Sequence, residues 1–244
     1  MKLTHLLYAG LGGVANVVFL LEKQNYKKKY WKPSLILNGP KIYKDYKKFC
    51  NSHNIQFKYV KTKKYLPFFY WYKIFNNLCI YKPDIIMLHN FQVIPAVIYS
   101  FFFKKKIILV DHYSYGLKNF KDYFVGSLIK IFRHKVIVLN KDNYNYYTKK
   151  ININNNDVQI IKNGIDLKNN NLKIKNSKVF KMGTASRVNS QKNISLVIKA
   201  LKSQSLKKFN ILYSIAGTGE DLKMLKKLVN NLKLGSKVEF VGFL

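Results

Sequence analysis

The feature that most constrains the fold of this chain is a period. Short apolar runs alternate with segments of helical length almost from end to end. "LTHLLYA" (3–9) reads as a buried strand, "GLGG" (10–13) as a tight turn and "VANVVFLLEKQ" as a helix. The strands continue with "PSLILNG" (33–39), "IQFKYV" (55–60), "DIIMLHN" (84–90), "KIILVDHYSYG" (106–116), "HKVIVLN" (134–140) and "VQIIKNGIDL" (158–167). Helices are predicted at 40–53 and 141–150, and an aromatic, lysine-rich block fills 61–83. After the polar tract "KNNNLKIKNSK" (168–178) the period restarts: strand "VFKMGTA", helix "NISLVIKALKSQ", strand "FNILYSIAG", helix "GEDLKMLKKLVNNLKL", strand "KVEFVGF". Strands joined by helical crossovers imply parallel sheets. Two such series predict two α/β domains, 1–167 and 179–244, with a linker at 168–178. The second series has three strands and two helices, and a three-strand parallel sheet is a poor place for a domain to stop. An incomplete second domain is therefore expected.

Charge narrows the partners. The 244 residues carry 44 basic and 11 acidic side chains, a formal charge of +33. Such a field favours anions: a phosphorylated substrate, an anionic membrane surface or nucleic acid. Lysine is spread along the whole chain, however, and gathers into no basic arm. No helix-turn-helix, zinc or ribonucleoprotein signature is present. A nucleic-acid binder remains an alternative class, with no specific nucleic acid expected. Cys50 and Cys79 are far apart and lack metal-ligand spacing, so they read as two ordinary thiols and no metal site is expected. The N-terminus lacks a small-residue cleavage site, and the longest apolar run, "FQVIPAVIYSFFF" (91–103), is too short to span a bilayer. These traits predict a cytoplasmic protein, peripheral on the inner face of the plasma membrane.

Ligands of open α/β sheets bind beyond the carboxyl ends of the strands. Those ends carry Gly12 and Gly13, His89 and Asn90, Asp111 and His112, Asn163 and Gly164, then Ser186, Arg187 and Lys192, and Gly217, Thr218 and Gly219. Gly12–Gly13 opens a helix without matching the dinucleotide pattern, and reads either as a tight turn or as an anion-binding loop. His112 follows "IILVD" and should face a cleft, with His89 in the equivalent place one strand earlier. Arg187 is one of only two arginines, and Lys192 follows five positions on. Where lysine serves almost everywhere else, an arginine points to the planar fork that grips two phosphate oxygens at once.

The second series, "KMGTASRVNSQKNISLVIKALKSQ" followed by "ILYSIAGTGEDLKMLKKLVNNLKLGSKVEFVGFL", resembles the donor half of the large retaining GT-B glycosyltransferase family. That family carries Gly-Arg-Leu, a Lys five residues past the Arg, a strand-Gly-x-Gly turn and a strand ending in Phe-x-Gly. Here Ser186 takes the usual Gly place and Val188 the Leu. "IIKNGID", "VDHYS" and "GLGGVANVVFLLE" are similar to earlier motifs of the family. The resemblance implies two Rossmann-like domains facing a cleft, and a nucleotide-sugar donor with a glycan or lipid-linked acceptor. It implies no cofactor and no metal, because protein cations replace the metal at the diphosphate. It assigns Arg187, Lys192 and Gly13 to the donor diphosphate and His112 to catalysis near the transferred sugar. Gly183, Ser186, Gly217 and Gly219 become donor-side loops, with Gly12 and His89 on the acceptor side. Bacterial surface polysaccharide (lipopolysaccharide O-antigen or capsule) is the expected pathway. The family's E-x7-E motif lies beyond the Phe-x-Gly strand, and the chain ends at Leu244. Little or no activity is therefore expected from this polypeptide alone, with a non-catalytic glycosyltransferase-like subunit as the alternative. The aromatics Phe68, Phe69, Tyr70, Trp71 and Tyr72 read equally as a helix core face or as a surface for anionic lipid, aided by Lys61, Lys63 and Lys64.

Overall fold

The computed structural model describes residues 1–62, 67–89, 93–113, 115–166, 178–206 and 208–243. Asn90, Lys63, Lys64 and nearly all of the 168–178 tract lie outside them. The chain divides into two compact units, Met1–Lys168 and Asn169–Leu244.

The first unit is built on β1 (Lys2–Tyr8), β2 (Lys32–Gly39), β3 (Gln56–Lys61), β4 (Ile85–Leu88), β5 (Lys106–Asp111), β6 (Lys135–Val138) and β7 (Val158–Ile160). They form one sheet in the order β3-β2-β1-β4-β5-β6-β7, every pair parallel. The central strands are buried on both faces, which explains why they read as continuous apolar runs without alternation. Helices α1 (Gly13–Lys28) and α2 (Lys44–Ser52) cover Leu7, Leu35 and Leu37 on one face. Helices α3 (Pro67–Tyr81), α4 (Val93–Phe103) and α5 (Phe120–Ile131) share the core that contains Leu6, Ile36 and Ile86. Proline opens α3, where its missing N–H costs nothing, and an Asn119–Asp122 capping box opens α5. Arg133, the second arginine, ends the turn after α5 in a left-handed conformation (φ 50°).

The predicted helix 141–150 divides into α6 (Lys141–Asn145) and a wider turn, Tyr146–Lys150. That turn buries Tyr146 and Tyr147 beneath Lys118. Within the aromatic block, Tyr70 packs partly buried against this core. Ile74 and Leu78 of α3 enter the core, whereas Phe68, Phe69 and Tyr72 are exposed.

The second unit holds β8 (Phe180–Ala185), β9 (Ile211–Ala216) and β10 (Val238–Gly242), parallel in the order β10-β9-β8. The helix predicted over 193–204 is shorter: α7 is Ile194–Ala200, flanked by single turns at Ser190–Lys192 and Gln204–Leu206. Asn193, left-handed at φ 46°, separates the first turn from α7. The last helix, α8 (Leu222–Asn231), buries Leu225 and Val229 against the second core.

Candidate functional site

In the first sheet the chain reverses its winding between β1 and β4, the place where such sheets bind ligands. The loop after β1 is fixed by Tyr46, whose hydroxyl donates to the carbonyls of Tyr8 and Gly10, both at 3.2 Å. A Cβ on Gly10 would stand 2.5 Å from the Tyr8 ring, so the exposed Tyr8 side chain would have to shift to admit it. At Gly12 and Gly13 a Cβ would meet nothing within 4 Å. Among the described residues, no atom requires glycine at these two positions.

Beside this loop lies a row of three imidazoles. His5 Nδ1 stands 2.9 Å from His89 Nε2, and His89 Nδ1 stands 3.0 Å from His112 Nε2. The rings lie nearly parallel, with successive centroids 5.2 and 5.3 Å apart. The inner end is Glu22 of α1, whose Oε1 is 2.7 Å from His5 Nε2. The same oxygen accepts from Trp31 Nε1–H at 2.9 Å, and the other oxygen accepts from Asn25 Nδ2–H at 2.9 Å. Glu22 and His5 are fully buried, His89 is 3% exposed and His112 is half-buried.

Charge follows from that burial. Burial alone would raise the Glu22 carboxyl, but hydrogen bonding and charge from His5, with the Trp31 and Asn25 hydrogen bonds, hold it below its ordinary value. Burial drives His89 well below the usual imidazole range, helped by the rings on either side. Burial also lowers His112, partly opposed by the Asp111 carboxylate. His89 and His112 are therefore neutral near pH 7, each with one donor and one acceptor nitrogen.

The loop carrying His112 is pinned from two sides. Asp111 accepts from the Tyr113 N–H at 3.1 Å and pairs with the buried ammonium of Lys118. Asn143 of α6 donates to the Tyr113 carbonyl at 2.6 Å, and α6 is itself capped by Asn140.

In the second unit the loops after β8 and β9 are zipped together. Ser186 N–H donates to Ala216 O and Val188 N–H to Thr218 O, both at 3.0 Å. A Cβ on Gly219 would fall 2.0 Å from the Val188 carbonyl oxygen. Ser186, Arg187, Gly217 and Thr218 line a hollow of about 240 Å³ at the carboxyl ends of these strands. Arg187 and Lys192 are both exposed.

Three expectations change in detail. Gly183 lies inside β8, paired with Ser214, and not in a donor-side loop. His89 is sealed between two rings, so the acceptor-side contact expected of it is closed by burial. The helix expected over 193–204, directly after Lys192, is only seven residues long and has no side-chain cap. His5 and Glu22 escaped the sequence reading, although a His inside an apolar strand and a Glu on the buried stripe Ala15–Val18–Glu22–Asn25 were the available signals.

Comparison with known proteins fits this geometry. Residues 167–244 match the family model described as glycosyl transferases group 1. HepE of Anabaena, solved with UDP and glucose, superposes with a TM-score of 0.77 at 18% identity, over 100% of this chain and 70% of that one. The fold is that of GT-B glycosyltransferases. The lipopolysaccharide outer core galactosyltransferase WaaB, in its apo form, gives a TM-score of 0.70 at 15% identity, over 100% of this chain and 68% of that one. An uncharacterized glycosyltransferase of Methanocaldococcus jannaschii is 27% identical over 199 residues, or 71% of this chain. The chain spans about half the length (49%) of that curated relative.

Proposed function

We propose that this chain supplies the acceptor-side domain and part of the donor-side domain of a glycosyltransferase that moves a sugar from a nucleotide-sugar to a glycan or lipid-linked acceptor. The observation that carries the reading is the zipped pair of loops after β8 and β9. They present Arg187 beside a hollow, within the stretch that matches the glycosyltransferase family. The breaking bond leaves negative charge on a diphosphate, and the Arg187 fork with the Lys192 point charge is suited to stabilise it without a metal. Gly12 and Gly13 leave room for a ligand against the backbone at the start of α1. His112, on a pinned loop, would meet the transferred sugar, with the anomeric configuration retained as in the family this chain resembles. UDP-sugars are the first donors to try, because UDP occupies the structurally similar HepE. A lipid-linked acceptor of a bacterial surface polysaccharide would explain the exposed aromatics of α3 and α4, among them Phe68, Phe69, Phe101 and Phe102. It would also use the hollow of about 460 Å³ lined by Trp71, Phe120, Phe124 and Leu128. A lysine-rich chain of this kind would work peripherally on an anionic membrane.

The test is a thermal-shift screen of nucleoside diphosphates and nucleotide-sugars, run with and without EDTA, with Arg187→Ala beside the native chain. Stabilisation by a ligand that binds the folded state follows its affinity. A shift with UDP or a UDP-sugar that EDTA leaves intact and Arg187→Ala abolishes is expected. No shift with any nucleotide removes the donor-site reading.

A further inference from the structure

The row of rings behind His112 has a property that no single histidine has. A neutral imidazole carries one N–H and one lone pair, so in a row of rings the direction of one hydrogen bond dictates the next. The Glu22 carboxylate can only accept, so His5 Nε2 must donate to it. If His5 is neutral, its Nδ1 is a lone pair. His89 then donates from Nε2, which leaves its own Nδ1 as acceptor for His112 Nε2–H. The outer nitrogen, His112 Nδ1, is then a lone pair. If His5 is an imidazolium, its Nδ1–H donates to His89 Nε2, His89 Nδ1–H donates to His112 Nε2, and His112 Nδ1 carries the hydrogen.

We propose that Glu22, His5 and His89 form a proton relay behind His112, and that protonation of its buried end decides whether His112 Nδ1 offers a lone pair or an N–H. The transfer balances with one proton. A proton bound at His112 Nδ1 releases the His112 Nε2 proton to His89 Nδ1. His89 Nε2 in turn releases its proton to His5 Nδ1. The charge comes to rest on His5, where the Glu22 carboxylate is 2.7 Å away. No oxidant, reductant or metal takes part.

The surroundings suit such a device. Burial disfavours a charge on His89, so this ring conducts the proton without storing it. Three N–H donors hold Glu22 as a carboxylate inside the protein. Asp111 and Lys118, the charged groups beside His112, are paired with one another. Tyr147 is buried next to them, and its hydroxyl is held protonated by that burial and by Asp111. The cost of an Asn and a Glu on the core stripe of α1 also gains a reason, since apolar side chains there would pack as well and leave His5 without a partner. Glu22, His5 and His89 are positioning residues. The use of His112 on a sugar rests on the transferase reading above, whereas the relay itself rests only on these distances.

Histidine tautomers are directly readable in two-bond ¹H–¹⁵N spectra of the full chain labelled at histidine nitrogens. At high pH His5, His89 and His112 should all be Nε2–H. As pH falls, His89 and His112 should change to Nδ1–H together, at one shared midpoint. In Glu22→Gln that shared midpoint should fall by about one pH unit or more, because the countercharge is gone. Trp31→Phe keeps the charge but removes one N–H donor, so the midpoint should rise. Rings that titrate separately, an Nδ1–H tautomer at His112 above the midpoint, or a midpoint unmoved by both substitutions overturns the relay. The native spectra suffice should Glu22→Gln not fold. No nucleotide is needed, so the two readings separate. A coupled switch in a chain that ignores UDP keeps the relay and sinks the transferase reading, while UDP binding with uncoupled rings does the reverse.

Discussion

A Cβ on Gly217 would stand 1.8 Å from the carbonyl oxygen of Ser186, closer than any non-bonded pair can approach. Gly217 also holds φ at +135° and donates its N–H to Gly242 O at 2.6 Å. The glycines after β9 therefore exist to let two backbones touch, which places Ser186 and Arg187 at the edge of the hollow. Gly217→Ala must push the β8 loop away and strain its own backbone, at roughly 2–5 kcal/mol. Gly12→Ala, in open space with extended backbone, should stay within about 0.5 kcal/mol of the native chain. Denaturant unfolding of the two variants checks the contrast; a Gly217→Ala chain as stable as Gly12→Ala would mean the loops are not packed this way.

The ion pair beneath the His112 loop offers a second check. Lys118 and Asp111 side chains are 4% and 2% exposed, and the ammonium also lies 4.7 and 5.0 Å from the Tyr146 and Tyr147 ring centroids. Lys118→Met leaves a buried carboxylate without its cation, and should cost about 3–5 kcal/mol. Adding Asp111→Asn to that variant should restore part of the loss, since a neutral amide replaces the stranded charge. Urea titrations of the single and double variants measure the recovery. A double variant no better than Lys118→Met would show that packing, and not charge, holds the loop.

The first sheet was legible because parallel strands buried on both faces leave long apolar runs, as in "PSLILNG", whereas in the second sheet "FNILYSIAG" is marked by apolar residues that alternate between buried and half-buried along β9. Boundaries slipped where local chemistry overrode the apolar period. Asn193 turns left-handed and sets off a separate turn before α7, and burial of Tyr146 and Tyr147 widens the turn after α6. The strand ends singled out His89 and His112, but a list of ends has no depth, so it could not tell a sealed ring from a half-exposed one. His5 and Glu22 are 17 positions apart and meet only because α1 folds back over β1. No motif singles either one out, although Glu22 closes the stretch "GLGGVANVVFLLE". Their only mark is a polar side chain where the period asks for an apolar one.

The choice of arginine at position 187 can be weighed against lysine. Hydrogen bonds to charged groups contribute about 1.5–3 kcal/mol each, so losing a two-oxygen grip in Arg187→Ala should weaken UDP binding by roughly a hundredfold or more. Arg187→Lys should fall between, because a point charge cannot engage two oxygens at once. Calorimetric titration with UDP reads this order. Full affinity in Arg187→Lys would reduce the arginine to a generic cation.

The proposed membrane attachment has its own signature. Phe68 and Phe69 are 77% and 57% exposed, and Lys73 lies over the Phe69 ring at 4.4 Å. Replacing both phenylalanines by serine removes apolar surface without touching the core. Co-sedimentation with vesicles containing phosphatidylglycerol should drop several-fold in this variant, and fall for the native chain as salt is raised. Binding that ignores both changes would place the contact elsewhere.

His134 is buried immediately before β6. Its Nε2 is 3.3 Å from Ser100 Oγ, and its Nδ1 accepts from the Ile107 N–H at 3.5 Å. Burial first, and the nearby Lys106 second, push its pKa down to about 4 from the ordinary 6.5. Above pH 6.5 the ring is neutral in both folded and unfolded chains, so its contribution is fully present. Between about 6.5 and 4 the unfolded chain takes the proton and the folded one does not, and stability falls by about 1.4 kcal/mol per pH unit. Below about pH 4 both forms are protonated and the loss levels off near 3 kcal/mol. His89 and His112 shift in the same direction and add to the slope. His134→Gln keeps hydrogen-bonding capacity but cannot titrate, so its stability should fall less steeply over this window than that of the native chain. Urea unfolding at half-unit pH steps from 7 to 4 gives both curves, and parallel curves would remove His134 from the acid response.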